Sequence, residues 1–257
     1  MNKESVCLLK FGKKDHIDQF SAGSLFCSDA VTLWGVEKDL KIRGQGDILE
    51  AGSRIFSNNF TMQQHGTSDT TEFNMKSNIL VHYEPAEHIP VFCLYSVFPD
   101  ECLMGTDGKL DIRLSDISKA TICQHFPIAD SFALITNPEL FINDVKDSIG
   151  CRMEYGLVHY FNIDKGFDVN DGKQSAVDME YFKYLTQDTP PISENGKKIY
   201  SFNADYVYRC LFCKDVFFSG EREYRIVLPN DYIKCGTHYP VRLSEKIKVY
   251  PIDLLFK

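Results

Sequence analysis

Short apolar runs alternate with polar breaks along the whole chain, and their lengths suit strands and brief helices better than long ones. Near the N-terminus "SVCLLKFG" reads as a β-strand. "KKDHIDQFSAG" follows as a short helix with Ile17 and Phe20 on one face and Gly23 as its stop. "SLFCS" is a second short strand, "DAVTLWGVEKD" fits either class, and "IRGQGDILEAG" is a turn leading into a short element. "NILVHYE" and "IPVFCLYSVF" are strands by their β-branched and aromatic content.

"SFALIT" is a strand that feeds a helix with clear punctuation. Asn137 stands at the N-cap, Pro138 at the first helical position, "ELFINDVKDSI" forms the body and Gly150 ends it. "EYGLVHYFNI" reads as one strand, "DMEYFKYLTQ" as a helix, and "ADYVYRCLFC" as helical or mixed. "REYRIVLP" is a strand, and "KIKVYPIDLLF" carries strand character. Between Ser57 and Asn74 the polar stretch "SNNFTMQQHGTSDTTEFN" reads as a loop or a wandering edge segment. Helices and strands mix without a regular βαβ rhythm. The expected class is therefore α+β, with mostly antiparallel sheets and short helices in a single compact domain over residues 1–257.

Composition narrows the function classes. Hydrophobic residues make up 44% of the 257, which supports a sizeable core. The formal net charge of −8 disfavours a general nucleic-acid binder, because an acidic surface repels phosphate at long range. The nine cysteines are odd in number, and many sit in apolar runs such as "VCLLKF" and "VFCLYSVF". That pattern suits reduced, buried thiols and a cytoplasmic location. The N-terminus "MNKESVCLLK" lacks a signal-peptide core, and no apolar run approaches the roughly 20 residues of a membrane span.

Most familiar motifs are missing or incomplete. Cys210 and Cys213 in "CLFC" have metal-ligand spacing, but a structural zinc site needs two more ligands and no second such pair exists. Core thiols are the expected outcome, with no metal. The seven histidines are dispersed, and "RGQGDILEAG" lacks the preceding strand and the ending that a phosphate loop needs. Arg43, Asp47 and Glu50 in "IRGQGDILE" form a polar cluster that either lines a cleft, with Arg43 on a phosphate, or decorates a capped surface helix.

"FFSGEREYRIVLP", Phe217 to Pro229, holds the strongest candidate chemistry. In a strand, side chains alternate between faces. Glu221, Glu223, Arg225 and Val227 then share one face, while Arg222, Tyr224, Ile226 and Leu228 share a mostly apolar one. Spacing alone leaves two readings: a wet strand face with a Glu–Arg pair, or the edge of an active site.

The Glu-x-Glu pair at the start of a strand, behind a turn and aromatic residues, resembles the catalytic segment of ADP-ribosyltransferases. In that resemblance Glu223 stabilises the oxocarbenium-like charge on the ribose of NAD, and Glu221 orients the acceptor. "LLKFGKKDHIDQFSAGSLFCS" is similar to the family's opening strand and helix, with Lys10 where most members carry Arg or His. "VFCLYS" is similar to the family's middle strand, with Ser96 supporting the nicotinamide pocket and Tyr95 beside it. The pattern "KDVFFSGEREYR" also resembles a broad bacterial set linked to toxin or phage-defence systems.

The resemblance implies an NAD-dependent transferase with a compact ADP-ribosyltransferase-like fold. NAD is its substrate, bound by Lys10, Ser96, Tyr95, Arg43 and Arg225. The acceptor is a protein or nucleic-acid group, and an antitoxin or regulatory partner would accompany the enzyme. An Arg acceptor would need the Glu-x-Glu pair. Two alternatives share the same residues: a non-catalytic binding or regulatory module, and an NAD glycohydrolase.

Overall fold

The computed structural model describes residues 5–40, 46–57, 60–63, 68–73, 77–104, 110–164, 178–189, 192–194, 197–199 and 203–256. Arg43 lies outside them. Where the sequence suggested one continuous domain, the contacts gather into two compact units. The first comprises Met1–Ile48, His88–Val158 and Phe217–Lys257, and the second Leu49–Glu87 and His159–Val216.

The first unit is built on a six-stranded sheet in which every neighbouring pair is antiparallel. Its order is Glu154–Leu157, Glu223–Val227, Val91–Val97, Cys7–Gly12, Ser131–Ile135, Lys248–Pro251. The strands "CLLKFG" and "VFCLYSV" are buried on both faces, which is why they read as continuous apolar runs rather than alternating ones. One face carries Leu8, Phe92, Leu94, Ala133, Ile226 and Leu228. It packs under helix Lys14–Ser21, through Ile17 and Phe20, and under helix Pro138–Ile149, through Phe141, Ile142 and Val145. The other face carries Cys7, Leu9, Phe11, Tyr95, Val97 and Phe132, covered by Leu114, by Ile122 of helix Asp116–His125 and by Leu255.

The local signals hold where chain geometry enforces them. Asn137 Oδ1 accepts the Leu140 amide at 3.1 Å, and Gly150 closes the helix at φ +67°. Gly23 adopts φ +90° after the first helix, and a Cβ there would stand 2.2 Å from the Val241 carbonyl oxygen. Gly23→Ala is therefore expected to cost about 1–3 kcal/mol from the left-handed conformation alone. The clash adds to that, because the Val241 backbone must move. A lowered urea midpoint at unchanged m-value is the expected reading.

The second unit has paired strands rather than a large sheet. Gly52–Ser57 pairs antiparallel with Ser77–His82, and His159–Phe161 pairs parallel with Cys213–Asp215. Phe60–Gln63 and Thr70–Phe73 form an antiparallel pair, so the polar stretch read as a loop or a wandering edge segment contains two paired strands. The run "EYGLVHYFNI" is two strands, Glu154–Leu157 and His159–Phe161, one in each unit. The ambiguous "DAVTLWGVEKD" is helical over Ala30–Leu40, and "ADYVYRCLF" is a 3-10 helix. Tyr181, in helix Met179–Leu185, is buried and donates its hydroxyl to the Gly52 carbonyl at 2.9 Å. The architecture is α+β with mostly antiparallel sheets. Among the described residues no helix is long and apolar enough to cross a membrane.

Candidate active site

Strand Glu223–Val227 lies inside the sheet, flanked by Glu154–Leu157 and Val91–Val97. Flanking strands alone would leave a face open to water, but both faces of this strand are covered. Glu223 retains 6% of its accessible surface and Arg225 0%, so the solvated-face reading of this segment is overturned. The alternation itself holds. Tyr224, Ile226 and Leu228 pack with the core under the two helices, and Glu223 and Arg225 point to the opposite side. There Glu223 stands opposite Tyr95, and Arg225 opposite Cys93.

Burying a carboxylate is tolerable only when a charge and hydrogen bonds replace water. Arg225 supplies both: Nε donates to Glu223 Oε1 at 2.8 Å, and a terminal nitrogen donates to Oε2 at 3.2 Å. This fork fixes the orientation of the carboxylate and holds it as an anion. Arg225 is thus a partner of Glu223. Cys93, across from Arg225, is no nucleophile. Desolvation of its sulfur, followed by the nearby Glu223 carboxylate, raises its pKa well above the ordinary thiol value.

Glu221 is not on the strand. It ends a 3-10 turn, Val216–Glu221, and Arg222 links the two glutamates in a left-handed conformation at φ +46°. The Arg222 carbonyl accepts the Ser96 amide at 2.9 Å, extending the ladder. One Glu221 oxygen lies 2.8 Å from Nδ1 of His125. That imidazole is also buried, stacked on Phe217 at 18° and meeting Phe218 edge-on. His125 was not among the sequence candidates. It lies 96 residues from Glu221, at the end of helix Asp116–His125, and no local spacing singles it out from six other histidines.

A third carboxylate closes the cluster. Glu101 Oε1 accepts the Ser115 amide at 2.9 Å and the Ser118 hydroxyl at 2.7 Å, and Oε2 accepts from Arg222 at 2.6 Å. Tyr95 is buried among these groups, and its hydroxyl finds no partner of good hydrogen-bond geometry. Burial raises its pKa above the ordinary phenol value, against a lowering by the Ser118 side chain. A buried phenol without a proper acceptor is a natural contact for a ligand or water.

The expected nucleotide contacts do not gather here. Lys10 and Ser96 follow the other parity of their strands, with Leu8, Leu94 and Phe92, on the sheet face opposite Glu223. Lys10 Nζ donates to the Cys93 carbonyl at 2.8 Å and lies 4.6 Å from the centre of the Phe92 ring. Ser96 is fully buried and accepts from the Ser5 hydroxyl at 3.0 Å. The convergence of Lys10, Ser96 and Glu223 on one cleft is therefore corrected: side chains of successive strand positions cannot share a face. Tyr95, on Glu223's side, remains in the site.

Asp47 and Glu50 are both buried in an irregular stretch ending in a turn over 48–51, so the capped surface helix is not formed. Each belongs to a different unit. Cys210 and Cys213 are buried in the second unit and are not joined in a disulfide. Among the described residues no group of three or more His, Cys, Asp or Glu side chains is placed to hold a metal ion.

Chemically, the cluster offers a fixed anion at Glu223, an imidazole tethered to Glu221, and a phenol at Tyr95. A carboxylate held by an arginine suits stabilisation of a developing cation better than donation of a proton. Comparison of the chain with protein-family models, with curated proteins and with solved structures finds no match.

Proposed function

We propose that this chain is an ADP-ribosyltransferase-type enzyme that takes NAD as substrate and transfers its ribosyl group to an intracellular macromolecule. The observation that carries the reading is the buried Glu223 carboxylate at the opening of its strand, oriented by the Arg225 fork. As the bond between ribose and nicotinamide breaks, positive charge develops on the sugar, and a preorganised anion in a water-poor site lowers that barrier. Tyr95, opposite Glu223 in the ladder, is the polar group assigned to the nucleotide on this side of the sheet. Lys10 and Ser96 have no part in it. The −8 charge favours a protein acceptor over nucleic acid.

A second reading has its own support. Both Glu223 oxygens already accept from Arg225, as they would in a non-catalytic binding or regulatory module that keeps the ion pair for structure.

Incubation of the full chain with labelled NAD and cell lysate separates the two. The expected result is nicotinamide release with label transfer, reduced about 100- to 1,000-fold in Glu223→Gln. Tyr95→Phe should lower the rate while leaving the thermal midpoint near that of the wild type. Release without transfer identifies a glycohydrolase acting through the same carboxylate. A wild-type chain that neither binds nor cleaves NAD leaves the binding module standing and sinks the enzymatic reading.

A further inference from the structure

The acceptor side of the site contains a group that the Glu-x-Glu pattern does not predict. Glu221, which the resemblance would place against an arginine acceptor, is instead engaged by His125 Nδ1 at 2.8 Å, with both side chains over nine-tenths buried. The imidazole is held on three sides: by the carboxylate, by the face of Phe217 with ring centroids 5.9 Å apart, and by the edge of Phe218. Its second nitrogen, Nε2, makes no hydrogen bond among the described residues. A carboxylate on Nδ1 selects the tautomer whose proton sits there, which leaves Nε2 as a lone-pair acceptor. Orientation by a buried acid and by aromatic walls is how a positioned base is built.

We infer that His125 is the proton acceptor of this site, that Glu221 is its positioning residue, and that the acceptor substrate is a neutral hydroxyl rather than a guanidinium. The chemistry rests on the glycosyl-transfer reading of Glu223. The hydroxyl oxygen forms the new bond to the anomeric carbon of NAD's ribose. The bond from that carbon to nicotinamide breaks, and its electron pair leaves with the nicotinamide nitrogen, neutralising the pyridinium charge. The hydroxyl proton passes to Nε2 of His125, and the imidazolium formed is stabilised by Glu221 before it releases the proton to solvent. Water in place of the hydroxyl gives hydrolysis by the same steps. A guanidinium would also have to give up a proton, and its positive charge would oppose an imidazolium forming beside it.

Two measurements test the assignment, and the first needs no substrate. Ring-nitrogen NMR of the full chain should show neutral His125 protonated on Nδ1, with the preference lost in Glu221→Gln, whose amide can donate to Nδ1 instead. Protonation on Nε2 in the wild type overturns the inference whatever the chain does with NAD.

The second measurement is kinetic. His125→Gln and Glu221→Gln should each lower kcat about 100-fold or more with KM for NAD changed less than threefold. The double variant should be no worse than either alone, because the pair acts as a unit. Added imidazole should restore part of the rate of His125→Gly. Mass spectrometry should place the label on hydroxyl-bearing groups. A His125→Gln enzyme with the wild-type kcat, or label on arginine, sinks this inference while leaving Glu223 in place. Wild-type activity that survives Glu223→Gln instead removes the glycosyl-transfer reading itself.

Discussion

Arg225→Met is expected to lower the unfolding free energy by about 3–5 kcal/mol, the cost of leaving a buried charge without its partner. Arg225 is fully buried and Glu223 nearly so, and the fork between them replaces the water that each group gives up on folding. Whole domains are stable by only about 5–15 kcal/mol, so the variant stands near the edge of folding. The informative comparison is the double variant Arg225→Met, Glu223→Leu. It removes both charges from the sheet face and keeps comparable side-chain volume, so it should be more stable than Arg225→Met alone by at least about 1 kcal/mol. Urea denaturation of the wild type, both single variants and the double variant measures this coupling. Additive losses would show that the fork contributes nothing to folding. The same series bears on function, because a carboxylate fixed at such a cost in a core strand needs a reason beyond stability.

How far the sequence foretold this arrangement differs from residue to residue, and the differences have physical causes. The helix around "PELFINDVKDSI" was legible to the residue because its cap, its proline and its glycine act within a few positions. The side-chain alternation in "EYRIV" was legible for the same reason: it is a property of the backbone. Burial of that strand was not, since it depends on what packs over each face of the sheet, and no feature of "GEREYR" announces those layers. A strand with two charged residues in its first three positions reads as exposed until its surroundings are known. Lys10 and Ser96 failed for a related reason. Their assignment followed motif position along the chain, whereas the sheet register sends them to the opposite face. His125 was invisible because its partner lies 96 residues away, and pairing of that kind is written only in the fold.

Glu101→Ala is expected to cost about 3 kcal/mol or more, a loss that the sequence alone would not assign to an acidic residue in "FPDEC". The Glu101 carboxylate ties together three pieces of chain. It accepts from the amide of Ser115, the N-cap of helix Asp116–His125, from the Ser118 hydroxyl inside that helix, and from Arg222 between the two glutamates. Its removal leaves two donors and a cation with unmet demands. Glu101→Gln keeps an acceptor and should cost less, about 1–2 kcal/mol. Arg222 gives the matching half of the test, because its φ of +46° carries a conformational cost of its own. Arg222→Ala loses the ion pair and keeps that cost, whereas Arg222→Gly loses the pair but relieves the left-handed conformation. Arg222→Gly should therefore be the more stable of the two by about 1 kcal/mol. In a double-mutant cycle, Glu101→Ala and Arg222→Ala should couple by at least about 1 kcal/mol. A coupling near zero would detach Arg222 from Glu101. The helix carrying His125 and the turn carrying Glu221 would then share no carboxylate that positions both. Such a link makes a local loss at Glu101 visible at the His125–Glu221 pair, as a mixed His125 tautomer in the Glu101→Gln chain.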